Sequence, residues 1–403
     1  MSNQTYKFEK LIEASQEQIF YAFTNATALR EWLCDVSTVD PKPGGRIFLA
    51  WNSGYYACGE YLNIEPNKRI TFSWFGQNEP GVSKVEVLFT NRDGKTHVQL
   101  NQTLPGSTEK WKGFVDNLIN GWETSLENLK SVLETGADLR ITRRPLLGIT
   151  TSDFNHDIAE RLGVPVTEGI RIDLVFKGMG AEAAGLQTND VMIEVDGKKT
   201  SRFGDIGTIL EGKHAGDKLS VTFYRGEKKT TLEMILSGRK VPEIPDSLRE
   251  LTKAVKKIYR LVESELETLF EEVSDSDAST KPKPDEWNAR EVLAHLIHSE
   301  RYLQTFITDL IGGQEHWIDS FAGNLLPPIR ATLTAFPTLP ELLRELKYSF
   351  AETLALYENL PTEFINRKGG YWRLAYYSLE SPYHFETHIL QIKESLNATK
   401  KER

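Results

Sequence analysis

The amino-acid sequence predicts a multidomain chain: an α+β unit over 1–136, a mostly-β unit over 144–239 and an all-α four-helix bundle over 246–400. Three observations lead there. A length of 403 residues exceeds what one compact core organises. Between 46 and 104, short runs alternating apolar and polar residues are separated by turn signals, and a run with helical period closes the unit over 110–134. Beyond 246 the apolar positions step by three and four, and breaks bearing proline or glycine divide the run into four helices.

The composition, 39% apolar and 26% charged, carries no signature of disorder. No apolar core follows Met1-Ser2-Asn3-Gln4-Thr5-Tyr6-Lys7, and no stretch reaches the roughly 18 apolar residues of a membrane span. A cytoplasmic location, with no membrane partner, is the expectation. Cys34 and Cys58 are the only cysteines, too few for a disulfide framework. Of the net charge of -9, residues from 241 onward hold 26 acidic and 19 basic groups, hence -7, which argues against a nucleic-acid surface there.

In chain order, residues 6–12 read as a strand and Ser15, with Gln18 three residues on, as the capped start of a helix closing near Trp32-Leu33. Strands follow over 46–51, 55–65, 69–75, 84–91 and 97–104, broken by Pro66-Asn67 and Arg92-Asp93-Gly94, so this part reads as an antiparallel meander. The helix over 110–134 sets Phe114, Leu118, Trp122, Leu126 and Leu129 on one face. A curved sheet on one long helix often leaves a cavity, and Trp32, Trp51, Phe72, Trp74 and Trp122 are candidates to line it or, equally, to fill it. No set of nucleophile, base and orienting acid is legible in this unit.

Leu29-Arg30-Glu31-Trp32, Gly44-Gly45-Arg46, the stretch 59–74 with Glu65-Pro66 inside it, and Gly121-Trp122-Glu123 resemble the helix-grip (SRPBCC) superfamily, and within it the domain of the activator of the 90-kDa heat-shock chaperone ATPase. That resemblance implies a pocket for a small apolar ligand, or a chaperone contact. Residues 134–144 read as a linker, because the apolar phase stops at Gly136.

The middle unit places Leu146-Leu147-Gly148-Ile149 before a strand, Ala183-Ala184-Gly185-Leu186 and Asn189-Asp190-Val191-Met192 at a turn and strand, and Val195-Asp196-Gly197 at a hairpin. These motifs resemble a PDZ domain of the bacterial-protease type. A glycine in a short loop lets backbone N–H groups converge on an anion, and an edge strand from Ile149 accepts a peptide by β-augmentation. The resemblance thus implies capture of a polypeptide C-terminus by Leu146, Leu147, Gly148 and Ile149, in a groove against the helix holding Ile206, Ile209 and Leu210. Leu146 stands where the family's commonest loop has glycine. No Gly-Asn-Ser-Gly-Gly nucleophile loop occurs, so the domain is expected to bind and not to cut.

After a stiff linker over 238–246, helices are expected over 247–273, 289–311, 340–360 and 380–397, with a long connection containing Pro327-Pro328. His384 and His388 lie four apart, on one helix face with Cβ atoms about 5–6 Å apart. His295 shares the inward phase of Val292 and Leu296. One inward histidine is commonly a satisfied core residue, but three on two helices each need partners for their ring nitrogens. They are also able to share an ion at about 2.0–2.1 Å per Zn–N bond. His298, one turn beyond His295, is an alternative ligand; His316 reads as a surface residue; Glu300 and Glu386 are possible acceptors fixing the imidazole tautomers.

Trp287-Asn288-Ala289-Arg290-Glu291-Val292-Leu293-Ala294-His295, and His384-X3-His388 followed by Gln391-Ile392, resemble the DinB/YfiT-like four-helix bundles. The resemblance implies a divalent metal (Zn, Ni or Fe) on His295, His384 and His388, with open positions for water or a thiol, and a possible homodimer. Relatives of such bundles include thiol-dependent transferases, isomerases and hydrolases. Two functions follow as expectations: a cytoplasmic binding and adaptor protein, or alternatively a metal-dependent enzyme of thiol-transferase or hydrolase type.

Overall fold

Ser15 caps the first helix as its spacing to Gln18 predicts, with both halves of the capping box formed. The computed structural model of the chain describes residues 3–402 other than 107, 153, 211, 284–285 and 317–324. The first domain runs β1 (Gln4–Ile12), α1 (Gln16–Thr24), α2 (Ala26–Trp32), β2 (Val36–Val39), β3 (Arg46–Ala50), β4 (Tyr56–Glu65), β5 (Arg69–Gly76), β6 (Ser83–Arg92), β7 (Lys95–Leu104), α3 (Thr108–Trp111) and α4 (Val115–Thr135). Its seven strands form one antiparallel sheet in the order β1-β7-β6-β5-β4-β3-β2. Asp93 and Gly94, at φ 53° and 81°, make the tight turn that pairs Arg92 with Lys95. The sheet closes on Trp122, Leu126, Leu129 and Val132 of α4.

Two boundaries differ from the sequence reading. Asn25 ends α1 and caps α2, splitting one expected helix into two. The long helix starts at Val115, because Trp111 turns into the core and donates from Nε1 to the Pro105 carbonyl at 3.0 Å. The stretch over 134–144 is not loose: it holds α5 (Leu139–Thr142), capped by Asp138, which accepts from Asn128 Nδ2 at 2.9 Å. Arg140 donates to the carbonyls of Arg30 and Cys34 at 2.6 and 3.0 Å. Polar hydrogen bonds, to which apolar periodicity is blind, fix this segment.

The second domain comprises β8 (Ile149–Ser152), α6 (His156–Leu162), β9 (Ile170–Val175), α7 (Gly180–Ala184), β10 (Val191–Val195), β11 (Lys198–Lys199), α8 (Phe203–Ile209), β12 (Lys218–Arg225) and β13 (Lys228–Ile235). The sheet order β13-β12-β10-β9-β8, with β11 beside β10, leaves β8 at an edge. Asp196 and Gly197 turn the expected hairpin at φ 52° and 75°.

The third domain contains α9 (Leu248–Phe270), α10 (Asp275–Ser279), α11 (Ala289–Gly312), α12 (Leu326–Ala335), α13 (Leu339–Glu358) and α14 (Lys368–Glu402). The stripe Leu251, Val255, Val262 and Leu266 of α9 is buried in the bundle core. Pro327-Pro328 lies in the first turn of α12, where a missing N–H costs nothing. The last helix begins at Lys368, twelve residues before the expected 380, and runs through Pro382. A proline brings no N–H to the Ser378 carbonyl. The Ser381 hydroxyl donates to that carbonyl instead, at 2.6 Å.

The first and third domains share a tight joint. A Cβ at Gly369 would stand 2.3 Å from Glu31 Oε2 and 2.7 Å from Val132 Cγ1, so only glycine permits α14 to lie this close. Glu315, buried, pairs with Arg373 through both oxygens at 2.7 and 2.8 Å and lies 3.7 Å from Arg30. No helix among the described residues is long and apolar enough to cross a membrane.

Candidate metal centre

The capping box of Asn288 and Glu291 starts α11 so that His295 turns inward, and α14 offers His384 and His388 one turn apart. His384 Nε2 lies 3.2 Å from His295 Nε2 and 3.0 Å from His388 Nε2. Among the described residues these three form the one cluster with ligand atoms mutually within 4.8 Å. His295 and His388 are buried, while His384 is exposed, leaving one side of the cluster open.

The donor set fits a cation better than a proton network. Gln391 Oε1 accepts from His388 Nδ1 at 2.7 Å, which leaves the lone pair on Nε2. A single N–H on His384 serves one of its two close nitrogen neighbours and leaves the other facing a lone pair. A shared ion satisfies all three, and nitrogens about 2.0–2.1 Å from a tetrahedral zinc stand about 3.3–3.4 Å apart. His295 Nδ1 is buried with no hydrogen-bond partner among the described residues, beside the Trp287 ring at 5.2 Å, so they do not satisfy this ring as they would a core histidine. Burial, then His388 and His384, push His295 down to about 2; burial, then His388, lowers His384; burial lowers His388 against the opposing Gln391 bond. The rings are therefore neutral donors at ordinary pH.

The other candidates separate cleanly. His298 stands outside the cluster, and His316 is a surface residue whose Nδ1 lies 2.9 Å from Asp309. Neither glutamate fixes a tautomer. Glu300 is buried, with Oε2 accepting from the Tyr259 and Thr353 hydroxyls at 2.8 Å each, and Glu386 is exposed. Gln391 does that work; its place three residues beyond His388 was the only signal in the sequence.

In the second domain, Gly148 has φ 86°, and its carbonyl accepts from Phe176 N–H at 2.9 Å. A Cβ there would come within 2.4 Å of Met179 Cβ. The N–H groups of Leu147 and Gly148 donate to no protein group among the described residues. Leu146, by contrast, exchanges both backbone bonds with Ser237 at 2.8 and 2.9 Å, so its N–H is occupied in closing the domain. Ile149 begins the edge strand. Ile206, Ile209 and Leu210 are buried in the domain core, against which Ile149 packs.

In the first domain, Phe72, Trp74 and Trp122 line a cavity of about 10 Å³, room for about one water. Trp32 and Trp51 do not line it: their indoles donate to Ala22 O and Leu33 O at 2.9 and 2.7 Å. Trp122 donates to Gln102 at 2.6 Å. The aromatics occupy the space between sheet and helix.

The geometry defines a class: a chain joining a packed helix-grip domain and a sheet domain with an open edge strand to a bundle with a three-histidine cluster. Residues 13–134 match the family described as activator of Hsp90 ATPase homolog 1-like protein, 145–236 the PDZ domain and 258–391 the DinB superfamily. The chain thus carries an Aha1-like helix-grip domain, a PDZ domain and a DinB-superfamily bundle, in that order. Among similar curated proteins, a probable periplasmic serine protease do/HhoA-like of Haemophilus influenzae is 32% identical over 110 residues, 27% of this chain and 23% of that protein. A probable periplasmic serine endoprotease DegP-like of Marinomonas sp. is 30% identical over 96 residues, 24% of this chain and 20% of that protein. The chain thus spans about a fifth to a quarter of the length of these relatives. Among solved structures, an HSP90 activator from Plasmodium falciparum is 28% identical, covering 32% of this chain and 95% of that one with a TM-score of 0.28. The Aha1 dimer from Colwellia psychrerythraea is 22% identical, covering 33% and 97% with a TM-score of 0.29.

Proposed function

We propose that the chain is a cytoplasmic binding and adaptor protein in which the bundle holds a divalent metal on His295, His384 and His388 and the PDZ domain captures polypeptide C-termini. The observation that carries this reading is the approach of three imidazole Nε2 atoms at 3.0 and 3.2 Å. The N–H groups of Leu147 and Gly148, which donate to nothing among the described residues, lie beside edge strand β8 and support the second part. Leu146 and Ile149 flank that cradle as closing bridge and first strand residue. With so little space inside, the helix-grip domain acts by surface contact, for which a chaperone is the partner class its family description names; a small apolar ligand would enter only if Trp74 and Trp122 swing aside. Elemental analysis of chain purified without metal-affinity resin tests the reading. About one Zn, Ni or Fe per chain, lost in His295→Ala and His388→Ala, supports it; metal-free wild type that takes up none overturns it.

A second reading, a metal-dependent enzyme of thiol-transferase or hydrolase type, is favoured by the exposed side of the cluster at His384. When bound, an ion on three protein ligands activates a water or thiolate at its open position. Incubation with metal, a low-molecular-weight thiol and an electrophile decides between the two. Turnover abolished by His384→Ala would establish the enzyme.

A further inference from the structure

The PDZ domain touches α14 beside two of the histidines. Phe176, just past β9, sets its ring edge-on to Tyr383 at 6.4 Å, and Tyr383 immediately precedes His384. The same Phe176 donates its N–H to Gly148 O at 2.9 Å, within the loop in which the Leu147 and Gly148 N–H groups donate to no group among the described residues. Asp173 of β9 shares its surroundings with Glu286 and Lys283 of the bundle, and Glu394 of α14 senses the same three side chains. Glu286 directly precedes Trp287, whose ring stands 5.2 Å from His295. Strand β9 therefore carries Asp173 within electrostatic reach of Glu286 and Glu394, leads into Phe176 against Tyr383, and pairs with β8, where a peptide would add.

We propose that the metal cluster and the C-terminal-peptide site are coupled through the Phe176–Tyr383 contact, so that metal on the histidines tightens peptide capture. The proposal rests on the metal and peptide readings above. Its physical basis is differential. Without an ion, the single N–H of His384 serves only one of its two nitrogen neighbours, at 3.0 and 3.2 Å, so the rings on the turn over 383–388 exchange partners; an ion bonded to all three nitrogens holds one arrangement and fixes the turn. Tyr383 on that turn is the platform for Phe176, and a fixed Phe176 holds the Gly148 carbonyl and with it the orientation of the anion-binding loop. Preorganising a loop strengthens binding without new contacts to the ligand. Linkage requires the reverse effect by the same factor: bound peptide tightens the metal.

The test uses the full chain and the tightest binder from a library of fluorescein-labelled peptides with free apolar C-termini, together with its C-terminal amide. Peptide is titrated into chelator-treated chain and into zinc-saturated chain. The expected result is a Kd at least about fivefold lower with zinc, within the usual range of coupling between sites, and the same factor in zinc affinity with and without peptide. Phe176→Ala and Tyr383→Ala, which remove the ring contact and keep the backbone bond from residue 176 to Gly148, should each bring the factor below twofold. If no peptide binds in a way lost on amidation, the capture reading falls and takes this inference with it. If peptide binds equally within twofold with and without zinc, the coupling alone is overturned. Coupling that survives both substitutions overturns the assigned contact.

Discussion

His388 Nδ1 lies 2.7 Å from Gln391 Oε1, one helical turn along α14. Because an amide oxygen only accepts, the proton sits on Nδ1 and the lone pair is held on the nitrogen that faces His384. Partners that fix the tautomer of a ligating histidine are typically worth about 10–100-fold in metal affinity. Gln391→Leu is expected to weaken zinc binding by that factor with unchanged helicity, and Gln391→Glu, which keeps an acceptor, to lose much less. Competition against a chromophoric chelator measures both. Equal affinity in Gln391→Leu and wild type would sink the assignment.

The histidines were legible because two rules act on few residues: spacing of four puts His384 and His388 on one face, and the phase of Val292 and Leu296 turns His295 inward. The start of α14 was not. Glycine and proline disfavour a helix interior, yet Gly369 is glycine because Glu31 and Val132, more than two hundred residues earlier, press on it, and the Ser381 hydroxyl takes over the carbonyl that Pro382 leaves unpaired. The joint between the first and third domains is likewise built from polar residues remote in sequence, Arg30, Glu315 and Arg373. Periodicity carries no information on such pairs. The aromatic stock of the first domain was visible, but whether it fills or lines an interior depends on volumes that only the assembled sheet and helix define.

That joint makes a prediction. Gly369→Ala puts a methyl 2.3 Å from Glu31 Oε2 and 2.7 Å from Val132 Cγ1, so the Glu31 and Val132 side chains or α14 itself must give way. Overpacking of this kind costs about 1–3 kcal/mol. Calorimetry is expected to show the variant melting earlier, with the first domain separating from the bundle. Glu31→Ala added to Gly369→Ala should recover only part of the loss, since the clash with Val132 persists. An unchanged melting profile in Gly369→Ala would show that the domains do not pack this way in solution.

Glu300 predicts a pH effect. Burial between the helices raises its carboxyl to about 7, against the lowering pull of the Tyr259 and Thr353 hydroxyls. In the unfolded chain it titrates near its ordinary 4.5. Below that value both states are protonated and the group is neutral to stability. Between 4.5 and about 7 the unfolded chain releases a proton that the folded chain keeps, so stability falls as pH rises and levels off above the folded value. Glu300→Gln removes the titration and keeps an oxygen for Tyr259. The variant should equal wild type near pH 4 and exceed it by about 1–3 kcal/mol at pH 8. Urea melts at the two pH values measure the difference, and a gap that does not widen with pH would exclude a neutral buried Glu300.

The last prediction separates a filled interior from a ligand pocket in the helix-grip domain. Trp122 is buried, packs on Trp74 at 5.5 Å between ring centroids and donates to Gln102 at 2.6 Å. The existing cavity of about 10 Å³ accepts no apolar molecule as it stands. Trp122→Ala should therefore cost about 3–5 kcal/mol through the void it leaves, with a further contribution from the unpaired Gln102 oxygen. The new space is bounded by Phe23, Leu33, Tyr61 and Phe72 and has the shape of an indole. Indole is expected to raise the melting temperature of Trp122→Ala, and indole, small aromatics and short alkanols are all expected to leave wild type unmoved. A wild-type melting temperature that climbs with such ligands would mean that the aromatics yield to a guest, and the domain would have to be read as a pocket.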